Sequence, residues 1–287
     1  MTAATETRVV RTRDEVRHAV RDARMAGGTV ALVPTMGYLH AGHLSLVDRA
    51  RELADFVAMS IFVNPLQFAP TEDLARYPRD FDRDLEMARG RGVDLVFAPG
   101  VEEMYPGGEP QVSVVPAGTL TERMEGAIRP GHFRGVLTVV AKLFGIFTPD
   151  VAVFGQKDFQ QAALIRRMAL DLDLGVRVEV APIVREPDGL AMSSRNVYLS
   201  PDERERALAL SRGLEHGRAL FAAGERDADA LRAALREALD VPGVEAEYAE
   251  AANPLTLEPV AAAEPGTVLL VAARVGRTRL IDNAVLS

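Results

Sequence analysis

The stretch TVALVPTMGYLHAGHLSLV, residues 29–47, decides how this chain is read. Thr29 to Thr35 is a short apolar run rich in branched side chains, the composition of a strand buried on both faces. From Leu44 to Ala54 the apolar positions recur at helical spacing. A turn containing Gly42 joins the two, so the stretch reads as strand, turn and helix, the unit from which α/β sheets are assembled.

Working outward, the same alternation continues. Thr12 to Arg24 has helical periodicity that Gly27 and Gly28 stop before the strand. Apolar runs at FVAMSIFV from Phe56, DLVFAP from Asp94, VAVFG from Val151 and VRVEVAPI from Val176 read as buried strands. Helical patterns at Asp80 to Arg91, Gly135 to Phe147 and Phe159 to Leu172 lie between them. Strand and helix in alternation predict an α/β chain with a doubly wound, Rossmann-like parallel sheet covered on both faces. After Arg185 the pattern changes to two Ala- and Arg-rich helices, Pro201 to Ala223 and Asp227 to Leu239, and then to strands near Val244, Val268 and Leu280. The expected division is a nucleotide-binding domain over 1–185 and a smaller C-terminal α+β domain over 186–287.

Composition narrows the function. A chain of 287 residues, 48% hydrophobic, can bury a large core, and no period of 20 to 50 residues repeats in it. Its net charge of −8 gives no diffuse cationic surface for a phosphate backbone, which argues against a nucleic-acid partner. There is no cysteine, so thiolate nucleophiles, disulfides and zinc–thiolate sites are excluded. MTAATETRVVRTRDE lacks a leader's apolar run, and Val136 to Phe147 is interrupted by Lys142, so a cytoplasmic protein without a membrane span is expected.

The turn itself carries chemistry. Two of the chain's five histidines stand three apart in His40-Ala41-Gly42-His43, at the start of the helix. A helix N-terminus offers free N–H groups and the positive end of a dipole, and Gly42 has no Cβ to hold a phosphate away. His40 and His43 can donate to phosphate oxygens there. The same spacing also suits a plain helix cap, or two metal ligands awaiting a third. No GxxxxGK[ST] or GxGxxG occurs, so HAGH is the leading phosphate cradle. Taken alone, HxGH after a strand resembles the nucleotide-binding element of the nucleotidyltransferase and class I aminoacyl-tRNA synthetase superfamily, which implies AMP transfer without naming the acceptor.

Four other segments hold clustered polar groups. MSSRN, Met192 to Asn196, offers two hydroxyls, a guanidinium and backbone donors suited to a departing pyrophosphate, or to a turn that caps the helix at Pro201. FGQKDFQQ follows a strand, which places Lys157 and Asp158 at the carboxyl edge of the sheet, where open α/β sheets bind ligands. Asp158 would equally serve as an N-cap. SIFVNPLQF supplies the uncharged amides of Asn64 and Gln67, and RPGHFRGVLTVVAK gathers Arg129, His132, Arg134 and Lys142 around a Pro-Gly turn, a place for a second carboxylate substrate.

Together PTMGYLHAGHLSLV, FVNPLQF, GQKDFQQ, RPGHF and DGLAMSSRN resemble the pantothenate synthetase (pantoate–β-alanine ligase) family, from about Thr29 to Ser200. The resemblance implies an ATP-dependent, AMP-forming ligase that joins pantoate to β-alanine through pantoyl adenylate, with Mg2+ accompanying the ATP and no metal held by the protein alone. Carried over motif by motif, His40, His43, Lys157, Ser193, Ser194 and Arg195 would be the catalytic set. Pro34, Thr35, Met36, Gly42, Gly155, Asp158, Val184 and Met192 would line the ATP site. Met36, Asn64, Gln67 and Gln161 would hold pantoate, and Arg129 with His132 would receive β-alanine. The smaller domain would close over the active site, and a homodimer is implied. Two departures stand in the lysine motif, Gln156 where the family commonly has Glu and Phe159 where it has Tyr. Two other readings compete: an adenylyltransferase with a phosphorylated acceptor, whose acceptor site should be strongly basic, and an ATP-sensing module without catalysis.

Overall fold

The strand–turn–helix at residues 30–53 lies at the middle of a parallel sheet. The computed structural model describes residues 7–70 and 72–287, with Gly118 and Thr119 described without their side chains. The N-terminal stretch 1–6, read above as part of a segment without an apolar leader, lies outside the described residues. The chain forms two compact units, one of residues 1–155 with 164–181, the other of 156–163 with 182–287.

The first unit follows the order β1 (Arg8–Val10), α1 (Arg13–Met25), β2 (Val30–Thr35), α2 (Ala41–Leu53), β3 (Phe56–Ile61), α3 (Phe81–Gly90), β4 (Leu95–Phe97), α4 (Val101–Met104), α5 (Met124–Ile128), α6 (His132–Phe147) and β5 (Val151–Gly155). Helix α7 (Phe159–Asp171) then leads to β6 (Arg177–Ala181). The six strands are parallel and ordered β1-β4-β3-β2-β5-β6. Alternate side chains leave a strand on opposite faces, and β2 shows it. Val30 and Leu32 join one core layer with α1 and α6, while Ala31 and Val33 join another with α2. Both layers are apolar, and each fully buried Leu or Phe in them contributes roughly 2 kcal/mol. From β2 the chain steps to β3 on one side, and from β5 to β6 on the other. That reversal between β2 and β5 is the place where open parallel sheets bind ligands, at the carboxyl ends of the strands.

The expected α/β architecture is present, with local differences. β1 is a three-residue edge strand, too short to give a periodic signal, and the short helices α4 and α5 went unread for the same reason. Helix α6 begins at His132, three residues before the expected Gly135. Gly135 is no breaker here: a Cβ on it would stand 2.2 Å from the carbonyl oxygen of Leu66. Its role is to let helix α6 approach the 65–67 turn.

The second unit holds α8 (Pro201–Ala222), α9 (Ala228–Leu239) and an antiparallel sheet ordered β7 (Val244–Ala252), β8 (Val268–Val275), β9 (Thr278–Val285). Ser200 and Glu203 form a capping box that starts α8. Leu210, Leu214, Leu231 and Leu235 from the two helices pack with Leu269 and Val271 of β8 in a core of their own. No helix among the described residues is long and apolar enough to cross a membrane.

Candidate active site

The turn after β2 is shaped by one residue that has no motif around it. Asp84, in α3, accepts the backbone N–H groups of Tyr38 and Leu39, each at 2.6 Å. Tyr38 is held at a positive φ of 49°, a strained value for a residue with a side chain, and Gly37 before it sits at +83°. A Cβ on Gly37 would stand 2.9 Å from an Asp84 carboxylate oxygen. Burial pushes the Asp84 carboxyl above its ordinary value despite its two backbone bonds. Thr35 closes the other end: its hydroxyl donates to Ser60 O at 2.7 Å and accepts from Gly37 N at 3.2 Å. The Thr35 hydroxyl thus shapes the turn.

Both histidines then cap α2. His40 is the N-cap, its Nδ1 accepting from Gly42 N at 3.1 Å, and His43 at the third helical position accepts from His40 N through its own Nδ1 at 3.3 Å. The rings lie 4.0 Å apart between centroids. A backbone N–H can only donate, so both Nδ1 atoms are lone-pair acceptors and each neutral ring carries its proton on Nε2. Capping therefore occupies Nδ1 of each ring and does not use Nε2.

At the end of the adjacent strand β3, Pro65–Gln67 forms one 3-10 turn. Asn64, 1% exposed, donates to Gln67 Oε1 at 3.0 Å and Gly135 O at 3.2 Å, and accepts from Tyr105 OH at 2.7 Å and Leu66 N at 3.3 Å. With its amide engaged at both ends, Asn64 positions Gln67. Burial pushes the Tyr105 phenol up, which keeps it a donor. Arg129 and His132 are committed in the same way. The Arg129 guanidinium grips Glu72 with two bonds of 2.7 Å, and its Nη1 donates to His132 Nε2 at 3.0 Å. His132 Nδ1 donates to the Gln67 carbonyl at 2.8 Å. The ring is therefore neutral: burial first, then the Arg129 charge, push its pKa down to about 4. Glu72 is pushed up by burial, but the Arg129 bond and charge outweigh this and hold it below the ordinary value. Of the cationic cluster expected for a carboxylate substrate, Arg129 and His132 join Glu72 and Gln67 in one hydrogen-bonded network.

Pro34, Met36 and Gly155 belong to the first unit, while the second holds Lys157, Asp158, Gln161, Val184, Met192, Ser193, Ser194 and Arg195. In the 3-10 turn Gln156–Asp158, Lys157 Nζ lies 3.5 Å from Asp158. Val184 and Met192 face each other across a hairpin, Met192 N donating to Val184 O at 3.0 Å. Ser193 Oγ accepts from Arg195 N at 3.2 Å, so it caps the 3-10 turn Ser194–Tyr198; Ser200, not Ser193, caps α8. Asn196 donates to Glu186 at 2.7 Å and Ala191 O at 3.1 Å, tying MSSRN to the hairpin. Asp84, Tyr105 and Glu72 carry no motif and escaped the sequence reading, as did the close approach at Gly135. Asp282 and Asn283 escaped too, although two consecutive polar residues inside the strand TRLIDNAV break its alternation and were a usable signal.

The first unit offers neutral imidazoles at a helix N-terminus and an amide at the same sheet edge, groups suited to orienting reactants and stabilising charge. The second unit, by itself, carries a lysine and serine hydroxyls. The family described as Pantoate-beta-alanine ligase matches residues 8–285 of this chain. A pantothenate synthetase of Anaeromyxobacter dehalogenans is 57% identical over 272 residues, covering 92% of this chain and 93% of the relative. The crystal structure of pantothenate synthetase from Thermus thermophilus superposes with a TM-score of 0.92 at 49% identity, covering 97% and 99% of the two chains. That of the Francisella tularensis pantoate-beta-alanine ligase, complexed with beta-gamma ATP and beta-alanine, gives 0.79 at 30% identity and 97% coverage of each.

Proposed function

This chain belongs to the pantoate-beta-alanine ligase family, and from that premise we propose how its residues carry the reaction. It is a ligase that condenses pantoate with β-alanine. In the route we infer, a pantoate carboxylate oxygen attacks the α-phosphorus of ATP, the bond to the β-phosphate breaks and pyrophosphate leaves. The amine of β-alanine then attacks the acyl carbon of pantoyl adenylate, the C–N bond forms and AMP departs, with the ammonium proton lost to water. The Nε2–H groups of His40 and His43 stabilise charge on phosphate, and Lys157, Ser193, Ser194 and Arg195 contact the polyphosphate. Met36, Gln67 and Gln161 hold pantoate, while Gly155, Asp158, Val184 and Met192 line the adenosine. Asn64, Arg129 and His132 act through Gln67. Adenylyl transfer to a phosphorylated acceptor is not favoured by the relatives, and the amides of Asn64 and Gln67 make a poor site for a phosphate dianion.

The observation that carries this reading is the histidine capping box, which fixes both tautomers before any ligand arrives. Among the described residues no group of three His, Asp or Glu could hold a metal. In the proposed reading the magnesium is held by the nucleotide's own phosphates and waters, so MgATP is written as the substrate. A cytoplasmic homodimer completes the proposal. The test is pantoate-dependent exchange of pyrophosphate into ATP without β-alanine. Exchange is expected, and His43→Ala should lower it about a hundredfold or more in a still folded protein. Absence of exchange, or release of ADP in the full reaction, would refute the adenylate route.

A further inference from the structure

We propose that Asp282 and Asn283, adjacent residues of β9, are positioning residues for the ATP-dependent step, because together they hold the lysine turn 156–158 and the hairpin 184–192. The inference rests on the roles assigned above to Lys157 and to the residues after the hairpin.

Asn283 is 2% exposed and uses its whole amide on the lysine turn. Its Nδ2 donates to the carbonyls of Gln156 at 2.9 Å and Lys157 at 3.0 Å, and its Oδ1 accepts from Gln156 Nε2 at 3.0 Å. Those two carbonyls flank the Lys157 backbone on either side, so a single side chain sets where the lysine begins. Asp282 serves the hairpin. Arg185 reaches its two oxygens at 2.6 and 3.1 Å and also donates to Gly189 O at 3.0 Å, closing the 185–189 turn. The Asp282 carboxylate is locked in turn by Asn283 N at 2.7 Å. Successive side chains leave a strand on opposite faces, which is how two neighbours on one strand serve two different segments. From the hairpin the order passes on through Glu186, which accepts from Asn196 at 2.7 Å and Arg204 at 2.6 Å, to the serine-bearing turn. Gln156 gains a purpose here: its amide donates to Asn283 Oδ1, which an ionised glutamate has no hydrogen to do. Charge stabilisation of phosphate depends on donors held in place before the substrate binds, and these two residues hold the segments from which the donors project.

The experiment measures steady-state kinetics of the full-length Asn283→Ala, Asn283→Ser and Asp282→Asn proteins, with melting temperatures alongside. Loss of the two carbonyl bonds in Asn283→Ala should raise KM for ATP about tenfold, with KM for pantoate unchanged. Gln156→Ala, which removes only the side-chain bond, should fall between that variant and wild type. A role confined to the fold would lower the amount of active enzyme, hence the apparent kcat, and leave KM for ATP in place. If Asn283→Ala fails to fold, Asn283→Ser and Asp282→Asn carry the same expectation. An ATP KM unmoved in the folded variants, with wild type active, overturns this inference alone. Wild type that shows no pantoate-dependent exchange overturns the functional reading instead.

Discussion

His132 stays neutral first because it is buried, and then because Arg129 points a donor at its Nε2, so a proton there would face a guanidinium at 3.0 Å. Unfolded, the ring takes its proton near 6.5; folded, it resists to about 4. Between those values the unfolded chain holds more protons. The stability tied to His132 is therefore complete above 6.5 and is lost as pH falls through the window to 4, by up to about 3 kcal/mol. Urea midpoints at pH 7 and pH 5 should differ less in His132→Gln than in wild type, and equal slopes would remove His132 from the account. The sequence marked His132 and Arg129 as a pair but not their target. Their target depends on Glu72, which stands 57 residues from Arg129 and which no local pattern brings to it.

Helix α2 and helix α6 make the site at the scale of elements, and both are testable by what a substitution leaves intact. Asn is a good N-cap, so His40→Asn should keep the melting temperature while lowering kcat about a hundredfold; His40→Ala should lose the cap as well, about 1 kcal/mol. Full activity in the Asn variant would leave His40 with capping alone. In α6, Gly135→Ala puts a methyl 2.2 Å from Leu66 O and pushes the Gln67 turn away. It should cost roughly 2 kcal/mol and raise KM for pantoate more than KM for ATP. An unchanged pantoate KM would separate Gln67 from that substrate. These elements were legible where burial imposes a period: β2, β3, β5 and α2 sit close to their predicted spans because both faces or one stripe must be apolar. The Asp84 clamp was not legible, since an aspartate in the acidic first turn of a helix is what solvent exposure alone would produce.

Across the whole molecule, charge and core division set the expectations. A net charge of −8 over 287 residues predicts no mobility shift of duplex DNA at about 0.15 M salt, and a shift would expose a cationic face that composition hides. Each unit buries its own core, and each carries part of the motif set. The chain's order gives the amide of Asn283 one more consequence, in the timing of synthesis. Its partners at Gln156 and Lys157 are made 127 and 126 residues earlier. At roughly 5 to 20 residues per second this delay is on the order of ten seconds. For that interval a nascent chain already contains the residues of β2, β5 and the histidine cap, yet its lysine turn lacks the Asn283 amide. A growing polypeptide stalled before residue 283 should consequently turn over little ATP, and the synthesis of β9 would set the moment at which adenylation begins.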